Sequence, residues 1–329
     1  MNIYEHIADN RNKTIVIVAL FPLILLVLMY ATVWLVSYFM YVPGTEELVV
    51  SKAASVTAYA NMLALEIFPY VILFAFAWIF ISYYSGDQIM LNTAGANEIS
   101  RDDNPQVYSV VENIAKTAGL PMPRVFIVND ESSNAFATGR DPQHSAVVFT
   151  TGIIKTLNRS ELEGVTAHEM SHIGNRDIRL MMIVITGIGI MTFLGQILIR
   201  FGYLASSGRS RKNGGAISLV LFLLGIVFLL YGVVIAPLVM FALSRRREYQ
   251  ADASAALLTR NPAGLASALD KISRDSRVEV LDSMPLMSSA CIANASGSEG
   301  LSSFLSGMFE THPPIEKRIQ ALHEMDGRV

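Results

Sequence analysis

The chain has 329 residues, is 52% hydrophobic and only 16% charged, and has a mean hydropathy of +0.42. Ordinary soluble domains carry about 25% charged residues, so this composition is that of a membrane protein. A net charge of −3 without a long run of one sign gives no footprint for nucleic acid, and the single cysteine, Cys291, excludes a disulfide framework or a multi-cysteine zinc cluster.

Four uncharged segments follow one another: 14–45, 67–86, 180–199 and 213–244. Each reaches the about 20 residues that a helix needs to cross the hydrocarbon layer, so four spans are expected. The first is too long for a signal-peptide core and is followed by no small-residue cleavage pattern, which reads as a retained span. Arg11 and Lys13 before it favour a cytoplasmic N-terminus, and Arg245–Arg247 after the fourth span agree. The loop between the last two spans opposes this rule, because Arg200, Arg209, Arg211 and Lys212 would then face outward. Either the loop is an exception or the last two segments form a hairpin that does not fully cross.

Between the second and third spans the pattern is α/β. "NPQVYSVVENIAKTAG" supplies Asn104 as N-cap, Pro105 at the first helical position and Gly119 as a stop, with Val107, Val110, Val111 and Ile114 on one face. "RVFIVND" and "SAVVFTTG" read as strands, joined by a link that contains "NAFATG". In "SELEGVTAHEMSHIGN", Ser160 and Glu163 have capping-box spacing, so a helix should start there and run through the histidines. Gly174 would admit a close neighbour. After the fourth span "REYQADASAALL" is another helical pattern, residues 282–310 read as a flexible Ser-, Gly- and Met-rich stretch, and "THPPIEKRIQALHEM" closes the chain as a helix with prolines in its first turn.

His168 and His172 stand four apart, on one helical face, so both imidazoles can reach one ion, and Glu169 is placed beside it to activate water. The alternative is a polar helix face with two surface histidines. A catalytic zinc takes three protein ligands, and no third histidine follows at short spacing; Asp177 stands near instead. A carboxylate from another helix is therefore expected. Glu248 and Asp252 offer an i,i+4 pair in which Glu248 binds metal and Asp252 fixes the tautomer of a ligand histidine. Against this stands an ordinary exposed pair next to a basic membrane anchor. The hairpin of spans three and four returns Glu248 to the side that His172 left, which favours the metal.

Together "HEMSH", "REYQAD", "NAFATG" and "THPPIEKRI", with the hairpin between the first two, resemble the HtpX family of membrane zinc metalloproteases, whose wider group includes the CAAX prenyl endoprotease. The resemblance runs from about residue 90 to 325. It implies an α-helical integral membrane protein with a cytoplasmic α+β gluzincin-type metalloprotease domain. In this plan 1–86 hold two N-terminal transmembrane helices and 87–179 the first part of the catalytic domain with the zinc-binding helix. Residues 180–244 are a transmembrane hairpin, and 245–329 the second catalytic part with the third ligand. It also implies one Zn2+ per chain on His168, His172 and Glu248, with Glu169 as general base. His312, at a helix start, becomes the expected oxyanion donor, supported by Arg318. "NAFATG" becomes an edge strand on which Asn134 and Ala135 hold the substrate backbone.

The activity implied is proteolysis of misfolded or damaged membrane proteins and unfolded polypeptides in the bacterial inner (plasma) membrane, as quality control under stress. The lipid bilayer is the other expected partner, and the sequence leaves the oligomeric state open. Two rivals remain: a membrane zinc sensor or transporter, and a prenyl-protein-processing protease. Transport predicts charges inside the spans, which the first, third and fourth lack, and a pure binding site has no purpose for Glu169. A prenyl-processing chamber needs more than four spans.

Overall fold

The computed structural model describes residues 3–40, 49–207, 214–242, 245–274, 291–292 and 313–326. In chain order its elements are α1 (Ile3–Met40), α2 (Val49–Thr93), β1 (Asn97–Glu98), α3 (Pro105–Ala118), β2 (Arg124–Val128), β3 (Ala135–Asp141) and β4 (His144–Thr150). There follow α4 (Thr151–Thr156), α5 (Arg159–Gly174), α6 (Asp177–Ser207), α7 (Gly214–Ala242), α8 (Arg245–Thr259), α9 (Pro262–Ile272) and α10 (Ile315–Met325). They divide into two compact units, one of Met1–Thr14, Ser82–Thr186 and Ala236–Val329, the other of Ile15–Ile81 and Gly187–Ile235.

Among the described residues, the second unit is helical. Among the described residues, Ala54–Thr93 and Asp177–Leu204 are long and apolar enough to cross a membrane, each with mean hydropathy 2.2, while Val18–Trp34 and Ser218–Gly232 are shorter apolar stretches. Leu65, Tyr70, Leu73 and Phe76 on α2 are exposed, an apolar face that water would not tolerate at this extent. α1 and α2 are tied by Tyr30 donating to Asn61 at 2.7 Å and Trp34 to Thr57 at 3.1 Å. α6 and α7 approach closely where glycines meet: a Cβ on Gly195 would stand 2.9 Å from the Gly225 carbonyl, and one on Gly225 would stand 2.8 Å from that of Gly195. This small-residue seam is how helices pack without a hydrophobic driving force between them, and it holds α6 and α7 against each other.

In the first unit a four-stranded sheet has the order β1-β2-β4-β3. β2 and β4 are parallel, β1 and β3 antiparallel to their neighbours. The "NAFATG" segment is thus an edge strand. Below the sheet lie α3 and α5. α3 is built as its sequence predicts: the Asn104 side chain accepts from the Val107 N–H at 3.1 Å, Gly119 closes the helix at φ 66°, and Val107, Val110, Val111 and Ile114 are buried.

α5 is the central helix, and its start differs from expectation. Asn158, not Ser160, is the N-cap, and its capping-box partner is Glu161, not Glu163. The choice follows from burial. Glu161 turns inward, where Ser267 and Lys271 of α9 each donate to it at 2.7 Å, while Glu163 pairs at the surface with Arg159 at 3.0 Å. Leu162, Val165, Met170 and Ile173 are fully buried, each worth about 1.5–3 kcal/mol. The close-approach glycine is Gly164 rather than Gly174: a Cβ there would stand 3.0 Å from the Leu265 Cα, whereas one on Gly174 meets only the end of the Leu120 side chain at 3.4 Å. Gly164→Val would therefore push α9 off α5. At the chain's end, Pro314 is the N-cap of α10, so both prolines precede the helix instead of filling its first turn. Thr311 and His312 lie outside the described residues, as does the 282–310 stretch apart from Cys291 and Ile292.

Candidate metal centre

The four-residue spacing on α5 brings the two imidazoles together: His168 Nε2 and His172 Nε2 are 3.2 Å apart. α8 lies against α5 and delivers Glu248, whose carboxylate oxygens stand 3.7 Å from each of these nitrogens. All three ligand atoms fall within 4.8 Å of one another. Two ligands bonded tetrahedrally to one zinc at 2.0–2.1 Å stand about 3.4 Å apart, so this donor set fits the ion.

The histidine tautomers point the same way. His168 Nδ1 donates to Asp252 Oδ1 at 2.9 Å, and His172 Nδ1 donates to Asp177 Oδ2 at 2.9 Å. With both Nδ1 atoms carrying hydrogen, two Nε2 lone pairs face each other and a carboxylate, which is repulsive unless a cation lies between them. Charge makes the same demand. Glu169, Asp177, Glu248 and Asp252 gather around Arg247 and Arg318, four carboxylates against two guanidinium groups. A divalent ion cancels the excess, as protons on the two imidazoles do without one.

Asp252 is pinned from both sides. Arg318, fully buried, donates from Nε and Nη2 to its two oxygens at 2.9 and 2.8 Å, and from Nη1 to the Ile292 carbonyl at 2.9 Å. Burial works against the Asp252 charge, but Arg318 and His168 prevail and hold its pKa at about 2. Burial likewise disfavours a charged His168, yet its bonds to Asp252 and Glu248 outweigh it and lift the ring to about 9. A metal displaces that proton, as any cation must at a histidine ligand.

Asp177, near in sequence but five residues on from His172, reaches it because α5 ends at Gly174 and Arg176 turns the chain at φ 60°. The carboxylate is buried, which raises its pKa, but the His172 bond and the charges of His172 and Arg247 bring the net shift below the usual range. Arg247, 3.3 Å away, closes the cluster. The basic run before Glu248 is therefore not only a solvated anchor, and Asp177 is a partner of His172 at its outer nitrogen. Sequence spacing alone could not show this, since five residues is not a helical repeat; the helix-ending "GN" before "RD" is the signal that bears on it.

Glu169 is 2% exposed on the same turn as His168. Asn134 is buried at the head of β3, its side-chain oxygen accepting from the Ala135 N–H at 3.0 Å and its carbonyl from the Thr150 N–H at 3.0 Å. The Ala135 carbonyl accepts from the Ile292 N–H at 2.9 Å. His144 sits at the surface with Asp141, away from this cluster.

The model of peptidase family M48 matches residues 101–326. A Protease HtpX homolog of Bacteroides fragilis is 38% identical, covering 96% of each chain, and one of Dictyoglomus turgidum is 38% identical over 99% of this chain and 95% of its own. One of Ligilactobacillus salivarius is 36% identical over 98% and 100%. Among solved structures, S. mikatae Ste24p aligns with 77% of this chain and 57% of its own, at 19% identity and a TM-score of 0.46. The HtpX-like motifs and the family match agree, and the chain belongs to peptidase family M48, among the HtpX homologues.

Proposed function

We propose that this membrane metalloprotease is a zinc endopeptidase that cuts misfolded or damaged membrane proteins and unfolded polypeptides. The observation that carries the reading is the set of three donor atoms on α5 and α8 with Glu169 buried beside them. His168, His172 and Glu248 hold the ion. Zinc, when bound, lowers the pKa of water to about 7 and polarises a carbonyl. Glu169 takes the proton from the attacking water and returns it to the leaving amine. Asp252 and Asp177 keep both histidines in the tautomer whose Nε2 faces the ion. Arg318 orients Asp252. His312 supplies the oxyanion donor, and Asn134 and Ala135, on the side of β3 away from β4, receive the substrate as an added strand.

The same reading takes 1–86 and 180–244 as membrane spans and joins 87–179 with 245–329 as one catalytic domain. The domain faces the cytoplasm of a multi-pass inner-membrane protein, as the basic residues at 11, 13 and 245–247 support. Glu169→Gln tests the enzyme against a zinc sensor or transporter. It keeps size and polarity but cannot shuttle a proton. Cleavage of an unfolded polypeptide should fall by about 10²–10⁴, with zinc content unchanged. Equal cleavage by both proteins, or none by the zinc-loaded wild type, refutes the reading.

A further inference from the structure

On the side of β3 away from β4, the chain already pairs with it. Phe136 pairs antiparallel with Cys291 in a bridge that belongs to no named strand. The Ile292 N–H donates to the Ala135 carbonyl at 2.9 Å, and the Ile292 carbonyl accepts from Arg318 Nη1 at 2.9 Å. Both residues are 1% exposed. Burial pushes the Cys291 thiol up, and the charge of Glu169 adds to the rise, so this thiol lies within electrostatic reach of the general base. The pair thus uses the backbone carbonyl of Ala135, one of the two residues proposed to hold the substrate, and sits between β3 and the buried arginine.

We propose that Cys291–Ile292 holds the place of a substrate strand, so that the peptide-binding edge of β3 is filled by the chain itself and an extended polypeptide binds by displacing it. The inference rests on the protease reading given above. The residues around the pair, rich in Ser, Gly and Met, have little strand propensity, so nothing in the local sequence calls for a strand there. What holds it is a backbone hydrogen bond that an extended peptide reproduces, the Arg318 bond to the Ile292 carbonyl, which a substrate carbonyl would take over, and burial of the Ile292 side chain in the core, which calls for an apolar side chain on the incoming strand. Selectivity follows: a folded protein has no free extended backbone to exchange for Ile292, whereas an unfolded segment does.

The bridge supplies its own test, because Cys291 is the single cysteine. Facing residues in an antiparallel pair have Cα atoms about 4.5–5.5 Å apart, inside the range that a disulfide spans. Phe136→Cys, treated with oxidised glutathione, should form this bond in the zinc-loaded full-length protein. Cleavage of reduced, carboxymethylated lactalbumin should then fall at least about tenfold and return on reduction, the locked strand being unable to yield its edge. The wild type should not respond to the oxidant.

A second arm needs neither that substitution nor any cleavage. In Glu169→Gln, the rate of Cys291 alkylation by N-ethylmaleimide should rise about tenfold when the same lactalbumin is added, as displacement uncovers the thiol. Failure to form the disulfide in folded Phe136→Cys, a disulfide that leaves cleavage intact, or an alkylation rate that ignores the polypeptide overturns the proposal. Absence of cleavage by the zinc-loaded wild type would sink the protease reading instead, while disulfide yield and alkylation would still report who occupies the edge.

Discussion

Arg318→Met removes the charge behind the metal centre while keeping the length of the side chain. The guanidinium is fully buried and makes two hydrogen bonds to Asp252, itself 1% exposed, at 2.9 and 2.8 Å. Taking one partner from a buried ion pair costs about 3–5 kcal/mol, chiefly because the other charge is left uncompensated. At roughly 2–4 °C per kcal/mol for a chain of this size class, thermal unfolding should move down by about 6–20 °C. The scan is run at one fixed rate in one detergent, since membrane-protein unfolding is commonly irreversible. The loss should propagate, because Asp252 then turns away from His168 Nδ1 and the ligand loses its fixed tautomer. Zinc affinity should weaken about 10–100-fold, the usual effect of removing such support. Arg318→Lys restores a charge but not the two-pronged fit, so it should recover only part of both losses. If Arg318→Met melts within about 2 °C of wild type and binds zinc as tightly, the guanidinium does not organise this cluster.

Glu248→Ala should lose most of its zinc by metal analysis, whereas undiminished zinc would make another acid, Asp177 or Asp252, the third ligand. Asp177→Asn keeps an acceptor but loses the charge facing His172, and should weaken zinc about 10–100-fold in a competition titration with a chelator; unchanged affinity would show that Arg176 and the α5–α6 junction hold the ring without it. His312→Ala should lower turnover by about 10²–10³ with normal zinc, the cost of one oxyanion donor, and full activity would leave that work to other groups. For topology, a cysteine in place of the exposed Gln143 in a Cys291→Ser background should resist an impermeant reagent on intact cells and react once the cells are permeabilised; labelling of intact cells would overturn the cytoplasmic assignment.

How far the sequence discloses this centre depends on where each residue's reason lies. His168, Glu169 and His172 are legible because one helix sets their spacing. Glu248 and Asp252 are legible as a pair, and their partner helix is legible only because a hairpin must bring α8 back to α5. Asn104, Pro105 and Gly119 mark α3 to the residue, since capping is local chemistry. The cap of α5 is not local in the same way. "NRSELE" holds two overlapping boxes, and the choice of Glu161 over Glu163 is made by Lys271 and Ser267, more than a hundred residues downstream. Asp177 fails for the reverse reason. It is close in sequence, but its reach to His172 depends on a left-handed Arg176, a conformation that no pattern of apolar residues announces.

Arg318 shows why the strongest interactions in such a centre are the least readable. In sequence it is one cation on a mixed-charge helix, "IEKRIQALHEM", where Lys317 and Glu316 look equivalent to it. Burial separates them: Arg318 is fully buried, while its two neighbours lie nearer the surface. A guanidinium is tolerated there only because Asp252 and the Ile292 carbonyl accept its hydrogens, and Asp252 is tolerated only because Arg318 and His168 donate to it. Each group is therefore destabilising alone, and stable only once α5, α8, α10 and the Ile292 backbone have come together. Mutual dependence of this kind makes the cluster assemble as a unit. It follows that substitutions at Asp252 and Arg318 should be strongly non-additive: the double variant Asp252→Leu/Arg318→Met removes both charges of the pair together and should be more stable than Arg318→Met alone. Its zinc should nevertheless stay weak, since His168 has lost its acceptor, and that split separates the part of the network that supports folding from the part that supports the metal. A double variant no more stable than the single one would mean that the two residues do not act as a pair.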